Sequence, residues 1–328
     1  MESIDPMDYA VTFLTGAFAF SAEFQNVGMA IQGAMSVRKG PNKEKKLHWF
    51  HAFMLSVVAG FAGGIFNFIW MGKPSGIIAN DLAMGSCIIA FALVNILPFD
   101  LGFMFFNTFP LSLVIVSSAQ LFRSLGLVKF VSTCFMAFKD TPSAYYPIPV
   151  FGPIIYGTLL GNMGPLFMKG FEPHIGNGVP WPVQNGLFLT TFYHFYVHDK
   201  DGPIGQLLRT YIPVPSFLGL DDATFATAFV SLFMQIMGIL QMPEVLGPSF
   251  SPFGSLLSPF KDTSTWNVGK GETVYAKKQK EVEASARSLP DSSIEMTPVG
   301  TESEVSMKKK KKKKKKTSAA VTSKEKEL

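Results

Sequence analysis

Six glycines fall in two long apolar stretches, and in each stretch two of them are spaced four residues apart. They are Gly60, Gly63 and Gly64 in the first stretch and Gly157, Gly161 and Gly164 in the second. Glycine weakens a helix by about 1 kcal/mol relative to alanine, so a helix can bend there and expose backbone carbonyls. Carbonyl oxygens can replace the water around a cation. The glycines therefore predict a pore-shaping role; the alternative is that they only let helices pack closely.

Two amides, Asn67 and Asn162, lie close to these glycines and are predicted to line the same polar path. The other polar candidates are Glu23, Asp100, Asn107, Gln120, Arg123 and Lys169. Ionisable residues inside a membrane are costly and usually functional, and Glu23 is the one most clearly within an apolar stretch. Charged residues at the ends of spans can instead extend to the membrane surface.

Catalytic chemistry has little support in this sequence. His194 and His198 are four residues apart, but no Glu follows His194 as a metalloprotease helix requires. Cys87 and Cys134 lie in apolar surroundings and are expected to be buried. There is no G-x-S-x-G motif and no P-loop. We expect no enzyme, no catalytic residues and no metal site.

Seven apolar stretches could carry these residues across a membrane. A hydrocarbon core of about 30 Å needs roughly 20 helical residues, and the stretches cover residues 9–35, 47–71, 77–97, 101–121, 148–168, 182–197 and 223–242. The first could be broken near Glu23, and the sixth is short. Of the 328 residues, 48% are hydrophobic and only 16% are charged, whereas an ordinary globular domain has about 25% charged residues. The predicted fold class is an all-α membrane protein with seven transmembrane helices.

The basic residues predict how the chain is oriented. Residues 1–260 have a net charge of −2 and residues 261–328 a net charge of +7, which argues against a nucleic-acid partner for the body. The loop after the first span carries five Lys and Arg residues, which the positive-inside rule places in the cytosol. With seven spans, the N-terminus is then luminal and the C-terminus cytosolic.

The chain after the last span predicts a tail rather than a second folded domain. We expect a transmembrane domain over residues 1–242 and a disordered Ser/Pro/Lys-rich cytosolic tail over 243–328. Lys308–Lys316 is a run of nine lysines, either a solvated tract or one attracted to anionic lipid. Lys324 and Lys326 fit the K-x-K-x-x pattern of dilysine retrieval signals, which indicates the endoplasmic reticulum.

The two glycine-containing spans also predict an internal repeat. They are the second and the fifth, so an odd number of spans separates them and they cross the membrane in opposite directions. Equivalent glycine-interrupted helices in opposed halves are typical of inverted repeats. We therefore expect spans one to three and four to six to be related, with the seventh added.

Short motifs accompany these glycines along the chain. Gly72-Lys73-Pro74 follows the second span, Pro98-Phe99-Asp100 precedes the fourth, and Phe109-Pro110 lies within the fourth. In their order and spacing they resemble the trimeric intracellular cation (TRIC) channels of the endoplasmic and sarcoplasmic reticulum, over about residues 24–242. The resemblance implies seven helices, an inverted three-plus-three repeat and a cytosolic C-terminus.

The sequence departs from the family at a lipid-binding run. Animal TRIC channels carry Lys-Glu-Val-x-Arg in helix four, where this chain has Ala119-Gln120-Leu121-Phe122-Arg123. Leu160 stands in place of the lysine of the glycine-rich fifth helix. The resemblance therefore leaves Arg123 as the candidate lipid-binding residue, for a phosphoinositide or another anionic lipid, with no other cofactor expected.

The function implied by the resemblance is an intracellular, homotrimeric potassium channel that supplies counter-ions when calcium leaves its store. An inverted repeat equally allows a secondary transporter of a small solute. A weaker alternative is a non-conducting scaffold whose lysine tail recruits anionic lipid.

Overall fold

The computed structural model describes residues 6–141, 144–164, 167 and 181–247, and over these ranges the chain forms helices and turns without strands. The helices described are α1 (Pro6–Leu14), α2 (Ser21–Lys39), α3 (Trp49–Trp70), α4 (Asp81–Phe91), α5 (Leu101–Phe106), α6 (Phe109–Phe138), α7 (Phe151–Asn162), α8 (Trp181–His198), α9 (Pro203–Tyr211) and α10 (Asp222–Leu240). The predicted tail beyond residue 247, with Lys308–Lys316, Lys324 and Lys326, lies outside the described residues.

Three of these helices, α3, α6 and α10, are long and apolar enough to cross a membrane. A fourth candidate is the pair Asp81–Ile96 and Pro98–Phe106, which is bent by 97°. The chain is an all-α membrane protein, as predicted. The other predicted spans correspond to α1–α2, α7 and α8, of which α2 has 19 residues, α8 has 18 and the described part of α7 has 12.

The first predicted span is two helices, and its break lies earlier than expected. The sequence suggested a break near Glu23, but Glu23 lies within the first turn of α2. The interruption covers residues 15–20, where Phe20 takes a left-handed backbone conformation with φ of 60°. A bulky side chain is unusual there, whereas Gly16, with φ of 69°, is the kind of residue that commonly ends a helix and was the signal for this break.

The predicted bounds of the fourth span, 101–121, are wrong. The chain turns sharply at Pro98, since the residue before a proline avoids helical geometry, and α5 is only six residues long. Pro110 then lies in the first turn of α6 rather than inside a span; proline is tolerated there because it has no N–H to contribute. Because α6 continues to Phe138, Arg123 lies in the middle of a helix and not at its end.

The helices pack around two hydrophobic clusters. The first cluster joins α2, α3 and α4 to the N-terminal half of α6, and includes Met29, Phe61 and Ile115. The second joins the C-terminal half of α6 to α8 and α10. Between the clusters, α2 contacts α6 and α3 contacts α7. These are the first and second helices of the two predicted halves, so equivalent helices face each other.

Contacts between loops agree with alternate crossing of the membrane. Arg38, in the last turn of α2, and Lys45, in the loop that follows, form ion pairs with Asp100 in the turn before α5. Tyr146, between α6 and α7, donates a hydrogen bond to Asp199 after α8 at 2.6 Å. In a multi-pass chain, the first pair of segments belongs to one membrane face and the second pair to the other.

Candidate functional site

The two glycine-containing helices differ in where their regular geometry stops. In α3, Phe61 has φ of −121° and ψ of 15°, so the helix is bent immediately after Gly60. Helix α7 ends at Asn162, the residue after Gly161. A helix bend within a membrane leaves backbone groups that need other partners, and the pore-shaping role of these glycines stays a prediction.

The two bent helices cross in close contact. A Cβ atom at Gly63 would overlap the carbonyl of Leu160 in α7, and one at Gly164 would overlap the carbonyl of Ala59 in α3. Residues that lack a side chain allow two backbones to approach in this way. Gly63 and Gly164 therefore have a packing role at the crossing.

The contacts at this crossing obey a local two-fold relation. Counting 97 positions on from Ala59, Gly63 and Asn67 gives Tyr156, Leu160 and Gly164. The Ala59 carbonyl abuts Gly164, and in the matching contact Asn67 Nδ2 donates to the Tyr156 carbonyl at 2.8 Å. The Gly63–Leu160 contact maps onto itself. The same shift relates Gly60 to Gly157 and Gly64 to Gly161. The contacts at the crossing therefore follow the internal repeat that the sequence predicts.

The remaining four glycines differ in what surrounds them. A Cβ at Gly60 would lie 3.2 Å from the Met29 carbonyl, and one at Gly157 would crowd the side chains of Val131 and Thr190. In contrast, no described residue lies within 4 Å of the Cβ position of Gly64. The position on Gly161 has only ordinary contacts, at 3.5 Å, with Arg123. Gly64 and Gly161 are thus the equivalent pair at which a Cβ atom would meet no overlap with the described residues.

Both predicted amides are buried against backbone. Asn162 Nδ2 donates to the Thr158 carbonyl at 3.0 Å, and the Thr158 hydroxyl contacts the Thr190 hydroxyl at 2.9 Å. Asn67 is 0% exposed, and its Oδ1 atom has no hydrogen-bond partner among the described residues. A buried, unpaired carbonyl-type oxygen costs about 1–3 kcal/mol, so Asn67 presents an acceptor that water or a cation could satisfy.

Arg123 lies midway along α6, beside the break in α7. Its backbone is within 4 Å of the Cβ position of Gly161, and its Nε is buried without a hydrogen-bond partner in the described part of the chain. A guanidinium has five N–H donors in a planar fork that suits phosphate and carboxylate groups. Its lipid-binding role remains a prediction, but it is a buried donor group in need of an acceptor.

Of the other polar candidates, those that the structure describes do not join this site. Glu23 and Asn107 are exposed, Asp100 is held in ion pairs with Arg38 and Lys45, and Lys169 lies outside the described residues. Gln120 is buried against Gly238 of α10.

The histidine pair packs against aromatic and hydroxyl side chains. His198 stacks on Phe135 with ring centroids 4.3 Å apart, and its Nε2 lies 3.2 Å from the Ser132 hydroxyl. Among the residues that the structure describes, no group of three or more His, Cys, Asp or Glu could hold a metal ion.

Sequence reasoning missed two features of the site. The segment after α3 folds back so that the Gly76 N–H donates to the Gly64 carbonyl at 3.2 Å; the Gly72-Lys73-Pro74 turn was a signal for this. The Thr158–Thr190 pair joins α7 to α8. Hydroxyls buried in apolar helices were visible in the sequence, but their partner was not.

Comparison with known proteins places this arrangement in a known architecture. No family model and no curated protein matches the sequence. A trimeric intracellular cation channel from C. elegans, in the absence of Ca2+, matches with a TM-score of 0.52 at 16% identity, over 73% of this chain and 99% of that chain. The C. elegans channel with bound Ca2+ matches with a TM-score of 0.48 at 14% identity, over 72% of this chain and 97% of that chain.

A solved structure that describes the basis for activity of TRIC counter-ion channels in calcium release matches with a TM-score of 0.49 at 18% identity. The match covers 72% of this chain and 99% of that chain. At these identities the likeness concerns the fold. On the match to the Ca2+-free C. elegans channel, together with the bent helices that cross about a local two-fold, this chain has the fold of a trimeric intracellular cation channel.

Proposed function

We propose that this protein is a channel for monovalent cations, above all potassium, and that it assembles as a homotrimer with one pore in each subunit. The observation that carries the proposal is the crossing of two interrupted helices about a local two-fold, at Gly63 and Leu160. Packing alone does not require glycine pairs at equivalent positions of the two halves, here Gly60 and Gly64 against Gly157 and Gly161, whereas a path that runs through both halves does.

The residues beside the crossing suit a cation path. No described residue lies within 4 Å of the Cβ position of Gly64, and at the equivalent Gly161 a Cβ would make only ordinary contacts with Arg123. The buried side-chain oxygen of Asn67 has no hydrogen-bond partner among the described residues. Oxygen atoms of this kind substitute for the hydration shell of potassium without a formal charge that would hold the ion. Gly60, Gly157 and Asn162 support the path by fixing α3 and α7 against their neighbours.

Single-channel recording tests the proposal. Purified full-length protein is fused into a planar bilayer with a potassium chloride gradient and, separately, with equal potassium and sodium on opposite sides. A channel gives unitary steps and a reversal potential close to that of potassium, with many ions per opening. Saturating, solute-coupled flux without unitary currents would favour a secondary transporter, and no flux at all would favour a scaffold.

The fold similarity also motivates a place in the cell. We propose an endoplasmic reticulum membrane, where potassium influx would balance the charge lost as calcium leaves, with Lys324 and Lys326 as the retrieval signal. Replacing both lysines with serine should let the protein move on to later compartments, as seen by fluorescence microscopy of a tagged chain. Unchanged localisation would remove the retrieval signal from the proposal.

A further inference from the structure

Helix α9 (Pro203–Tyr211) connects the end of α8 to the start of α10 and has three distinct faces. With about 3.6 residues per turn, Gly205, Leu208 and Arg209 share the face turned towards the protein. Gly205 is buried, and Leu208 packs against the second hydrophobic cluster, which lies between α6, α8 and α10. This inner face fixes how the rest of the helix is oriented.

A second face is apolar but exposed. Ile204, Leu207 and Tyr211 follow an i, i+3, i+7 spacing, and they are 37%, 56% and 77% exposed. The third face carries Gln206 and Thr210, which are polar and also exposed. A short helix with separate apolar and polar exposed faces is typical of a helix that lies in a membrane interface.

The order of the faces around the helix decides which of them meets the bilayer. The apolar stripe adjoins Leu208, which points into the membrane body of the protein, whereas Gln206 and Thr210 lie on the opposite side. The stripe is therefore on the side of the apolar core and the polar face is on the side of water. Phe217, which is 79% exposed in the turn before α10, adds an aromatic side chain near the same end.

Polar contacts hold α9 rigidly on the ends of its neighbours. The Asp199 carboxylate accepts hydrogen bonds from the Tyr146 hydroxyl at 2.6 Å and from the Gly205 N–H at 3.1 Å. Partial burial and the bond to Asp199 raise the pKa of Tyr146, so the phenol remains a donor. At the other end, Arg209 pairs with Asp222 at 3.4 Å. The helix is thus presented in one orientation.

We propose that α9 lies in the interface of one membrane leaflet, with Ile204, Leu207 and Tyr211 inserted between the lipid headgroups and the acyl chains. A lipid surface fits better than a second protein copy because the three side chains offer only on the order of 300 Å². A stable protein interface buries about 800 Å² on each partner, whereas interfacial helices need insertion of only about 5–10 Å. The inference does not depend on whether the chain conducts ions.

Spin labels on neighbouring positions of α9 test this. Leu207→Cys and Gln206→Cys are each labelled with a nitroxide on the full chain and reconstituted into phosphatidylcholine–phosphatidylserine vesicles. Cys87 and Cys134 are buried, and unsubstituted protein measures any label that they take up. We expect the label at 207 to collide several-fold more with oxygen, which concentrates in lipid, than with an aqueous nickel chelate, and the label at 206 to show the reverse.

Two results would overturn the proposal. Equal access of the nickel chelate to both labels would place α9 in water, clear of the leaflet. Low access of both reagents to the label at 207, with dipolar broadening between labels on different chains, would show that a second copy covers the stripe. A thermal melt of each labelled variant establishes that the fold is intact, since both positions are exposed and a surface substitution is expected to cost under about 0.5 kcal/mol.

Discussion

Gly63 and Gly64 are neighbours in the sequence, but their surroundings are opposite. A side chain at Gly63 would overlap the Leu160 carbonyl, while no residue that the structure describes lies within 4 Å of the Cβ position of Gly64. The spacing of glycines cannot reveal this difference, because it depends on where a helix about a hundred residues away crosses. The predicted pore-shaping set therefore divides into glycines that permit packing and glycines at which a Cβ atom would meet no overlap with the described residues.

This division gives a matched pair of variants. Gly63→Leu should prevent folding or trimer assembly, because overpacking typically costs about 1–3 kcal/mol. Here the added side chain would overlap the backbone carbonyl of Leu160, which cannot move aside as a side chain can. Gly64→Leu should fold and assemble, since leucine favours helix over glycine by about 1 kcal/mol, while conductance falls as the side chain narrows the proposed path. Size-exclusion chromatography and single-channel recording measure the two effects. Normal conductance in an assembled Gly64→Leu channel would mean that Gly64 faces lipid and not the path.

A second prediction at this scale concerns Arg123. We expect vesicles that contain a phosphoinositide to raise the melting temperature of the unsubstituted protein but not that of Arg123→Ala, because the buried Nε of Arg123 has no acceptor among the described residues. A free lipid concentration of a hundred times Kd would raise the free energy of unfolding by about 2.7 kcal/mol. Lys129→Ala, an exposed position on the same helix, is the control. Equal lipid stabilisation of Arg123→Ala and of the control would exclude Arg123 from the lipid site.

At the scale of elements, Asp100 joins the turn before α5 to the last turn of α2 and the loop that follows it. It pairs with Arg38 at 3.2 Å and with Lys45, while Arg38 also lies over the Phe103 ring with its guanidinium carbon 5.0 Å from the centroid. Arg38 is nearly buried, so losing its partner leaves an uncompensated charge.

Asp100→Asn should therefore destabilise the protein by about 1–3 kcal/mol, the cost of a hydrogen bond to a charged group. Glu44→Gln is the control, because Glu44 pairs only with Lys46 and both side chains are largely exposed; such pairs contribute about 0–1 kcal/mol. Thermal unfolding in detergent compares the two variants. Equal melting temperatures for both would mean that the Asp100 cluster does not hold the elements together.

The elements also show what the sequence could and could not predict. Apolar length located α3 and α10 and the glycines marked the bend of α3, because both signals are local. The start of α6 was placed too early because Pro110 was interpreted as lying within a helix, whereas it opens one. The break before α2 combines a left-handed Gly16, which glycine favours, with a left-handed Phe20, which no residue preference favours. The partners of Asn67 and Asp100 are set by tertiary packing and could not be predicted from local sequence.

At the scale of the whole molecule, the chain should have its two ends on opposite sides of the membrane. Basic residues predict a luminal N-terminus and a cytosolic C-terminus, and the loop contacts of Asp100 and of Asp199 agree with alternate crossing. Protease added to sealed microsomes should remove a C-terminal tag and spare an N-terminal one. Removal of both tags would require an even number of crossings, and removal of the N-terminal tag alone would reverse the orientation.

Gly63 and the Leu160 carbonyl form the backbone contact about which α3 and α7 could tilt against each other. Because it lies on the local two-fold, any tilt of α3 about this point presses on α7, and any tilt of α7 presses equally on α3. If the proposed path runs along both helices, a movement of one half would therefore be passed through this contact to the other half, which is oriented towards the opposite membrane face.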